Sequence, residues 1–251
     1  MGHVYAISDL HGCWYNFEET LKILQPDDVV YCLGDCGDRG EDGWKIIKAV
    51  LDDERFIYLK GNHEDMLCKA IDSYYRIRQA CSCADEDEIM FHLDYDKDYS
   101  LMIYNGGRKT FKDWKKDPNR ASYLKKLKEL PITQTYLNKK GQSILLSHAG
   151  YTPHIEGLPS EEDLIWNRYH FNQKWDDAFP DSIIVHGHTP IPYFDEYLYD
   201  CPEEVNAGAF WYCDNHKVNI DCGTVFTGIS TMIDLDTWEE HIIIDKKEWV
   251  S

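Results

Sequence analysis

Positive charge is scarce in this chain: 251 residues carry 26 Lys and Arg against 45 Asp and Glu, a net charge of −19. A pI near 4.8 argues against nonspecific nucleic-acid binding, which needs a basic surface to displace counterions from phosphates. No run approaches the ~18 apolar residues of a membrane span, and the start lacks a basic region followed by an apolar core, so neither membrane association nor export is expected. Met1-Gly2 also misses the myristoylation pattern, because Ala6 has no hydroxyl. The nine cysteines are an odd set without CxxC spacing, which argues against a disulfide framework and for a reducing compartment, the cytoplasm. Cys81 and Cys83, one residue apart with no second pair, lack the spacing of a zinc site and read as simple thiols. No Pro/Ser-rich tract, low-complexity segment or internal repeat divides the chain, so residues 1–251 read as a single domain with a sizeable core.

The few basic residues are unevenly placed: nine of the 26 lie between Arg108 and Lys128. Such a run is expected to be a solvated helix flank before it is an anion-binding face.

What the chain does have is five short polar segments, each closing an apolar run. In order they are Ser8-Asp9-Leu10-His11-Gly12, Gly34-Asp35-Cys36-Gly37-Asp38-Arg39-Gly40, Gly61-Asn62-His63-Glu64, Ser147-His148-Ala149-Gly150 and Val185-His186-Gly187-His188-Thr189. The runs Val4 to Ile7, Val29 to Leu33, Phe56 to Leu59, Ile144 to Leu146 and Ile183 to Val185 read as buried strands. Asp, His and Asn therefore recur where strands end. In open α/β sheets ligands bind beyond the carboxyl ends of strands, and these side chains offer oxygen and imidazole donors to borderline divalent metals.

A helix carrying Trp14, Phe17, Leu21 and Leu24 separates the first two strands, and one carrying Trp44, Ile47 and Leu51 separates the next two. This βαβαβ succession implies a parallel sheet with right-handed crossovers. Residues from about 64 to 130 read as a mostly helical insertion capping the sheet, with Asp85-Glu86-Asp87-Glu88 as a solvated helix start and Pro131 as a stop. Beyond it, Ile132 to Leu137, the turn Asn138-Lys139-Lys140-Gly141 and Ser143 to Leu146 carry a hairpin signature. Strands at Val218 to Asp221, Gly228 to Leu235 and His241 to Ile244 are expected to build a second, more antiparallel sheet. The expected fold is α/β, a four-layer αββα sandwich of two mixed sheets flanked by helices, with a metal site at the C-terminal ends of strands.

Asp9 and His11, two apart in an extended loop, can chelate one cation. The Asp35 carboxylate can bridge two cations ~3.5 to 4 Å apart, the separation of two-metal hydrolases. Asn62, His148 and His188 would complete the second cation's shell, a mixture of oxygen and imidazole that suits Mn2+, Fe or Zn2+ better than Ca2+. Such a pair lowers the pKa of bound water toward ~7 and gives a hydroxide at neutral pH, for which a phosphate monoester is the natural target. His63 is placed to protonate the leaving alkoxide if Asp38 orients its imidazole. Arg39 and Arg168 offer planar forks for phosphoryl oxygens, which a Lys could not match.

Together SDLHG, GDCGDRG, GNHE, SHAG and the GHT within VHGHTP resemble the phosphoprotein phosphatase branch of the calcineurin-like metallophosphoesterases, particularly its bacterial and phage members. Asn105-Gly106-Gly107 with Thr110, and Leu164-Ile165-Trp166-Asn167-Arg168, are similar to segments between the metal motifs of bacterial members. The resemblance spans residues 4 to about 228, and Ile220-Asp221-Cys222-Gly223 is similar to the strand and loop lining the site near the family's end. It implies a dinuclear centre with Asp9, His11 and Asp35 on one cation and Asp35, Asn62, His148 and His188 on the other. It also implies direct attack by a hydroxide bridging the metals, with His63 as general acid, Mn2+ as the expected metal and no phosphoenzyme. His186 is not carried over and is read as a support behind the ligands. Ser8 for the usual Gly, Gly37 for the usual Val and Ala149 within the common HGG depart from the pattern without removing a ligand. Gly37 would loosen the Asp35 loop.

The activity implied is serine/threonine protein phosphatase, acting on a phosphorylated protein or a small phosphate ester. The alternative is a dinucleoside tetraphosphate hydrolase of a sister branch; Asp38-Arg39-Gly40 favours the first, since the sister branch is expected to lack that Asp. A metal-bound docking module without activity is disfavoured by the full ligand set and the Asp38–His63 pair.

Overall fold

The computed structural model describes residues 2–81, 85–153, 158–171, 173–175, 179–192 and 208–246. The chain opens as β1 (Val4–Ile7), α1 (Trp14–Ile23), β2 (Val29–Cys32), α2 (Gly43–Asp52) and β3 (Phe56–Tyr58). The three strands are parallel, with Val4 opposite Val29 and Val30 opposite Phe56, so their carboxyl ends lie along one edge. Strand alternation sorts their side chains. Tyr5, Ile7, Val30, Cys32, Phe56 and Tyr58 face a helix-covered cluster, while Ala6, Tyr31, Leu33 and Leu59 face the second sheet.

Five helices follow: α3 (Asn62–Ala80), α4 (Glu86–Leu93), α5 (Lys97–Tyr104), α6 (Arg108–Lys116) and α7 (Arg120–Lys128). Asp85 caps α4 by accepting the Glu88 N–H at 3.0 Å, as an acidic helix start requires. These helices pack on the outer face of the first sheet through Tyr74, Phe111, Trp114 and Leu127, which share one cluster with Ile7 and Val30. On α6 and α7 the basic run is largely balanced by acids of its own and neighbouring helices. Lys109 pairs with Asp113, Lys115 with Glu86, Lys126 with Asp52 and Lys128 with Asp72. The run is a solvated flank.

The hairpin is β4 (Thr133–Leu137) and β5 (Ser143–Ser147), antiparallel with Thr133 opposite Ser147. Then come α8 (Glu161–Trp166), a single 3-10 turn at Tyr169–Phe171, β6 (Ile183–His186), β7 (Phe210–Tyr212), β8 (Lys217–Asn219), α9 (Thr224–Thr227), β9 (Ile229–Asp234) and β10 (Glu240–Ile244). The sheets have the orders β10-β9-β1-β2-β3 and β4-β5-β6-β8-β7. Both are mixed, and they face each other across Ala6, Leu33, Ile144, Leu146, Val185, Val218 and Ile233. This is the expected αββα sandwich.

The late strands depart from expectation. Only β8 joins the second sheet, parallel to β6; β9 and β10 extend the first, β9 lying antiparallel to β1 with Ala6 opposite Ile233. The free edge of β1 offers unpaired backbone groups that these strands satisfy. The short β7 is not among the expected strands. Cys81 is a free thiol, while Cys83 lies outside the described residues. No helix among the described residues is long and apolar enough to cross a membrane.

Candidate metal centre

Each sheet sends three parallel strands to the same end. Asp9, Asp35 and Asn62 follow β1, β2 and β3, and His148, His188 and Asp221 follow β5, β6 and β8. All six expected ligands are buried there. Two clusters of donor atoms result, His11 with Asp35 and His63, and Asp35 with His148 and His188, the donor atoms of each lying within 4.8 Å of one another. Asp35 belongs to both. Its Oδ2 is 3.6 Å from His11 Nε2, 3.8 Å from His63 Nε2 and 3.4 Å from His148 Nε2.

Asn62 Oδ1 lies 2.8 Å from His148 Nε2 and 2.9 Å from His188 Nδ1, so it faces the second cluster. Asp9 Oδ1 is 3.8 Å from His11 Nε2 and has no hydrogen-bond partner although it is buried. Its Oδ2 is spoken for, accepting from the His188 N–H at 3.0 Å and from the Ser8 hydroxyl.

The imidazoles are oriented from behind. A carbonyl only accepts, so His11 Nδ1 donates to Gly37 O (3.0 Å), His148 Nδ1 to Leu33 O (2.9 Å) and His188 Nε2 to Trp166 O (3.0 Å). In each ring this leaves the other nitrogen turned toward the cluster, the arrangement that fixes the tautomer of metal-binding histidines. An orphaned buried carboxylate oxygen and three imidazoles fixed in this way fit a pair of divalent cations.

The charges agree. Burial lowers the His148 imidazole, but the Asp35 carboxylate outweighs it and raises the group to about 9. Burial raises Asp35, yet the surrounding imidazoles hold it well below the carboxylate range. Burial and the neighbouring His148 charge keep His188 well below its ordinary value. In the metal-free protein His148 therefore carries a proton that a cation must displace. Cation binding at neutral pH is expected to release that proton, with apparent affinity rising about tenfold per pH unit up to about 9. Calorimetry in buffers of different ionisation heat checks this; binding without proton release at pH 7 would contradict it.

His63 stands between the clusters and a carboxylate, its Nδ1 2.8 Å from Asp38 Oδ2. Burial lowers His63, but Asp35 and Asp38 together raise it above its ordinary value. Arg39 donates through Nη1 to His11 Nε2 at 2.7 Å and through Nη2 to His63 Nε2 at 3.1 Å. Arg168 donates to His188 O at 3.3 Å and Thr189 Oγ1 at 2.9 Å, beside a cavity of about 470 Å³ lined by Glu162, Asp163, Trp166, Asn167, Arg168 and Tyr169. Arg39 thus lies within the centre and Arg168, exposed, at its rim. His186 does not join it; its Nε2 meets the Tyr212 hydroxyl at 2.7 Å and burial drives it down to about 3.

The loop carrying Asp9 and His11 is not extended. Their φ values are 54° and 42°, and Asp35, Asp38, Arg39 and His188 are also left-handed at 56°, 65°, 60° and 68°. Strain of this kind collects at functional sites, where the surroundings over-determine it. Glu64 supplies part of that restraint, and reading the motifs assigned it no role. Its Oε2 accepts from the Asp35 and Gly61 N–H groups at 2.8 and 3.0 Å, and its Oε1 from Cys36 N–H at 3.1 Å and the Tyr58 hydroxyl at 2.6 Å. An acid in the first turn of α3 looks like an ordinary cap, which hides this function. The motif Ile220-Asp221-Cys222-Gly223 puts Asp221 near the site but does not announce a role for it. It is buried, accepts from Gly223 N–H at 2.8 Å, and feels the charges of Asp9 and Arg39.

Two facing mixed sheets with Asp, Asn and His gathered at their strand ends make a donor set for divalent cations. The calcineurin-like phosphoesterase profile matches residues 2–220, and the chain belongs to that family. Among curated proteins it is similar to the bis(5'-nucleosyl)-tetraphosphatase PrpE [asymmetrical] of Oceanobacillus iheyensis, 24% identical over 247 residues, covering 88% of this chain and 83% of that protein. Among solved structures, a metallophosphoesterase from Sphaerobacter thermophilus superposes with a TM-score of 0.55 at 14% identity, covering 97% of this chain and 88% of that one. A serine/threonine phosphatase from Saccharomyces cerevisiae superposes with a TM-score of 0.52 at 12% identity, covering 98% and 81%. At such identities the structures speak for the fold alone.

Proposed function

We propose that this metallophosphoesterase is a phosphomonoesterase acting on phosphoserine and phosphothreonine, with two divalent cations as cofactors. Asp9, His11 and Asp35 would hold one cation, and Asp35, Asn62, His148 and His188 the other. Bound there, the cations supply Lewis acidity, neutralising phosphoryl charge and acidifying water. An all-oxygen-and-imidazole donor set suits Mn2+, with Fe or Zn2+ as alternatives. Arg39 and Arg168 grip the phosphoryl oxygens. His63 protonates the leaving oxygen. Without substrate, Arg39 donates to His63 Nε2, which makes that nitrogen an acceptor; a phosphoryl group drawing the fork away frees Nε2 to hold the proton that Asp38 favours.

The observation that carries this reading is the 2.8 Å contact between Asp38 and His63. A serine or threonine alkoxide leaves poorly without a proton, whereas a nucleotide leaves from a tetraphosphate through an acidic phosphate that needs little help. A built general acid therefore speaks for the alkyl ester. The second reading, dinucleoside tetraphosphate hydrolysis, is supported by the relative from Oceanobacillus iheyensis, similar over most of both chains. Purified protein loaded with Mn2+ is expected to cleave a phosphothreonine peptide faster than diadenosine tetraphosphate. A much faster release of nucleotide from the tetraphosphate would reverse the order.

A further inference from the structure

The helical insertion reaches into the centre through the loop between α5 and α6. Asp38 and Arg39 are consecutive non-glycine residues in the left-handed region, at φ 65° and 60°. A backbone of that kind persists only where its surroundings hold it, and here the holding groups come from the insertion. The Asp38 N–H donates to the Thr110 hydroxyl oxygen at 2.9 Å, and the Arg39 N–H donates to the Gly106 carbonyl at 3.1 Å. The fit is close. Gly106 is itself left-handed at φ 89°, and a Cβ there would stand 3.0 Å from the Arg39 Cα; one on Gly107 would stand 3.1 Å from Asp38 Oδ2.

Thr110 is fully buried, and its neighbours Phe111 and Trp114 on α6 are anchored in the main core. The hydroxyl is therefore fixed relative to the first sheet. Asp38 is held at two points, its N–H by Thr110 and its Oδ2 by His63 Nδ1.

We propose that Thr110 is a positioning residue for the hydrolysis, fixing the Asp38 backbone so that its carboxylate aims the His63 imidazole, with Gly106 doing the same for Arg39. This rests on the reading of His63 as the proton donor. Thr110 touches neither substrate nor cation. Without its oxygen the Asp38 N–H is buried and unmet, the strained φ relaxes, and the carboxylate leaves His63 Nδ1. His63 then loses its orientation while the cation-holding side chains stay in place.

The test is Thr110→Val, which keeps the shape and removes the hydroxyl, beside Thr110→Ser and His63→Asn, all loaded with Mn2+. Two substrates are compared, a phosphothreonine peptide and 4-nitrophenyl phosphate, whose leaving group needs little protonation. Thr110→Val is expected to lower kcat on the peptide by about 10- to 100-fold, to affect the nitrophenyl ester much less, and to keep its metal content; Thr110→Ser is expected to restore the peptide rate. Equal losses on both substrates, or none, would overturn the role of Thr110. A peptide-selective loss in His63→Asn with none in Thr110→Val would overturn this inference and leave the general acid standing. No selective loss in either would overturn both. Should Thr110→Val fail to fold, Thr110→Ala removes the same hydroxyl with less bulk, with the same peptide-selective loss expected and equal losses or none overturning the role of Thr110. Gly106→Ala, whose Cβ would crowd the Arg39 Cα, is expected to raise KM severalfold on both substrates, because Arg39 grips the phosphoryl group and not the leaving group; an unchanged KM would remove Gly106 from the proposal.

Discussion

Asp35→Asn is expected to abolish turnover, by about 1000-fold or more, a loss of roughly 4 kcal/mol of transition-state stabilisation, and to leave the protein unable to retain a full complement of Mn2+. Asp35 Oδ1 accepts the His63 N–H at 3.0 Å, while Oδ2 faces His11, His63 and His148 at 3.4 to 3.8 Å. An amide has one oxygen to offer. If it keeps the His63 N–H, its NH2 points at the cations; if it turns, NH2 opposes N–H. Either way the one negative group common to both clusters is gone. Metal analysis and initial rates check this, and two retained cations with more than a tenth of the rate would contradict it. The metal-free variant has a further signature. The Asp35 carboxyl is held well below its ordinary value by the imidazoles that outweigh its burial, so its stabilising contribution is present above the unfolded pKa of about 4 and fades as pH falls below that. Metal-free Asp35→Asn should therefore melt below wild type at neutral pH, with the gap closing in acid.

The centre was largely legible because its donors are local: each sits within a few residues of a strand end, and strand ends are what an apolar run followed by a turn announces. The two sheets were legible for the same reason. Pairing was less so. An alternating strand such as β9 declares that one face is buried but not which edge receives it, and β1 rather than the second sheet had the vacancy. Harder still were Glu64 and Thr110, whose work is done through backbone N–H groups of a distant loop. A glutamate in a first helical turn and a threonine on an amphipathic helix each have a commoner explanation. The left-handed backbone of Asp9, His11 and Asp38 was hidden too, since such φ values are ordinarily glycine's. Asp38 and His63, 25 residues apart and in contact at 2.8 Å, are paired by what a proton donor needs, an acid to orient the imidazole, not by spacing.

Replacing His63 by Asn separates two parts this side chain could play, because its Nε2 lies close enough to Asp35 to sit in the first donor cluster. Were it a ligand, the variant would lose metal and slow on every substrate. As a proton donor it should keep two cations and lose turnover selectively, by about 100-fold or more on a phosphothreonine peptide, the scale on which general acids act. Geometry favours the donor. Asp9 Oδ1, buried, without a hydrogen-bond partner and 3.8 Å from His11 Nε2, is the oxygen that can take His63's place on the first cation, while Asp38 holds His63 Nδ1. The pH profile carries the same distinction. In the metal-free protein Asp35 and Asp38 raise the His63 pKa despite its burial; with the Asp35 charge taken up by cations, the Asp38 contact is what still favours the protonated ring, and wild-type turnover of the peptide should fall on the alkaline side as that proton is lost. His63→Asn should lack this limb. A variant that instead drops one cation and slows 4-nitrophenyl phosphate as severely as the peptide would move His63 from the proton to the metal.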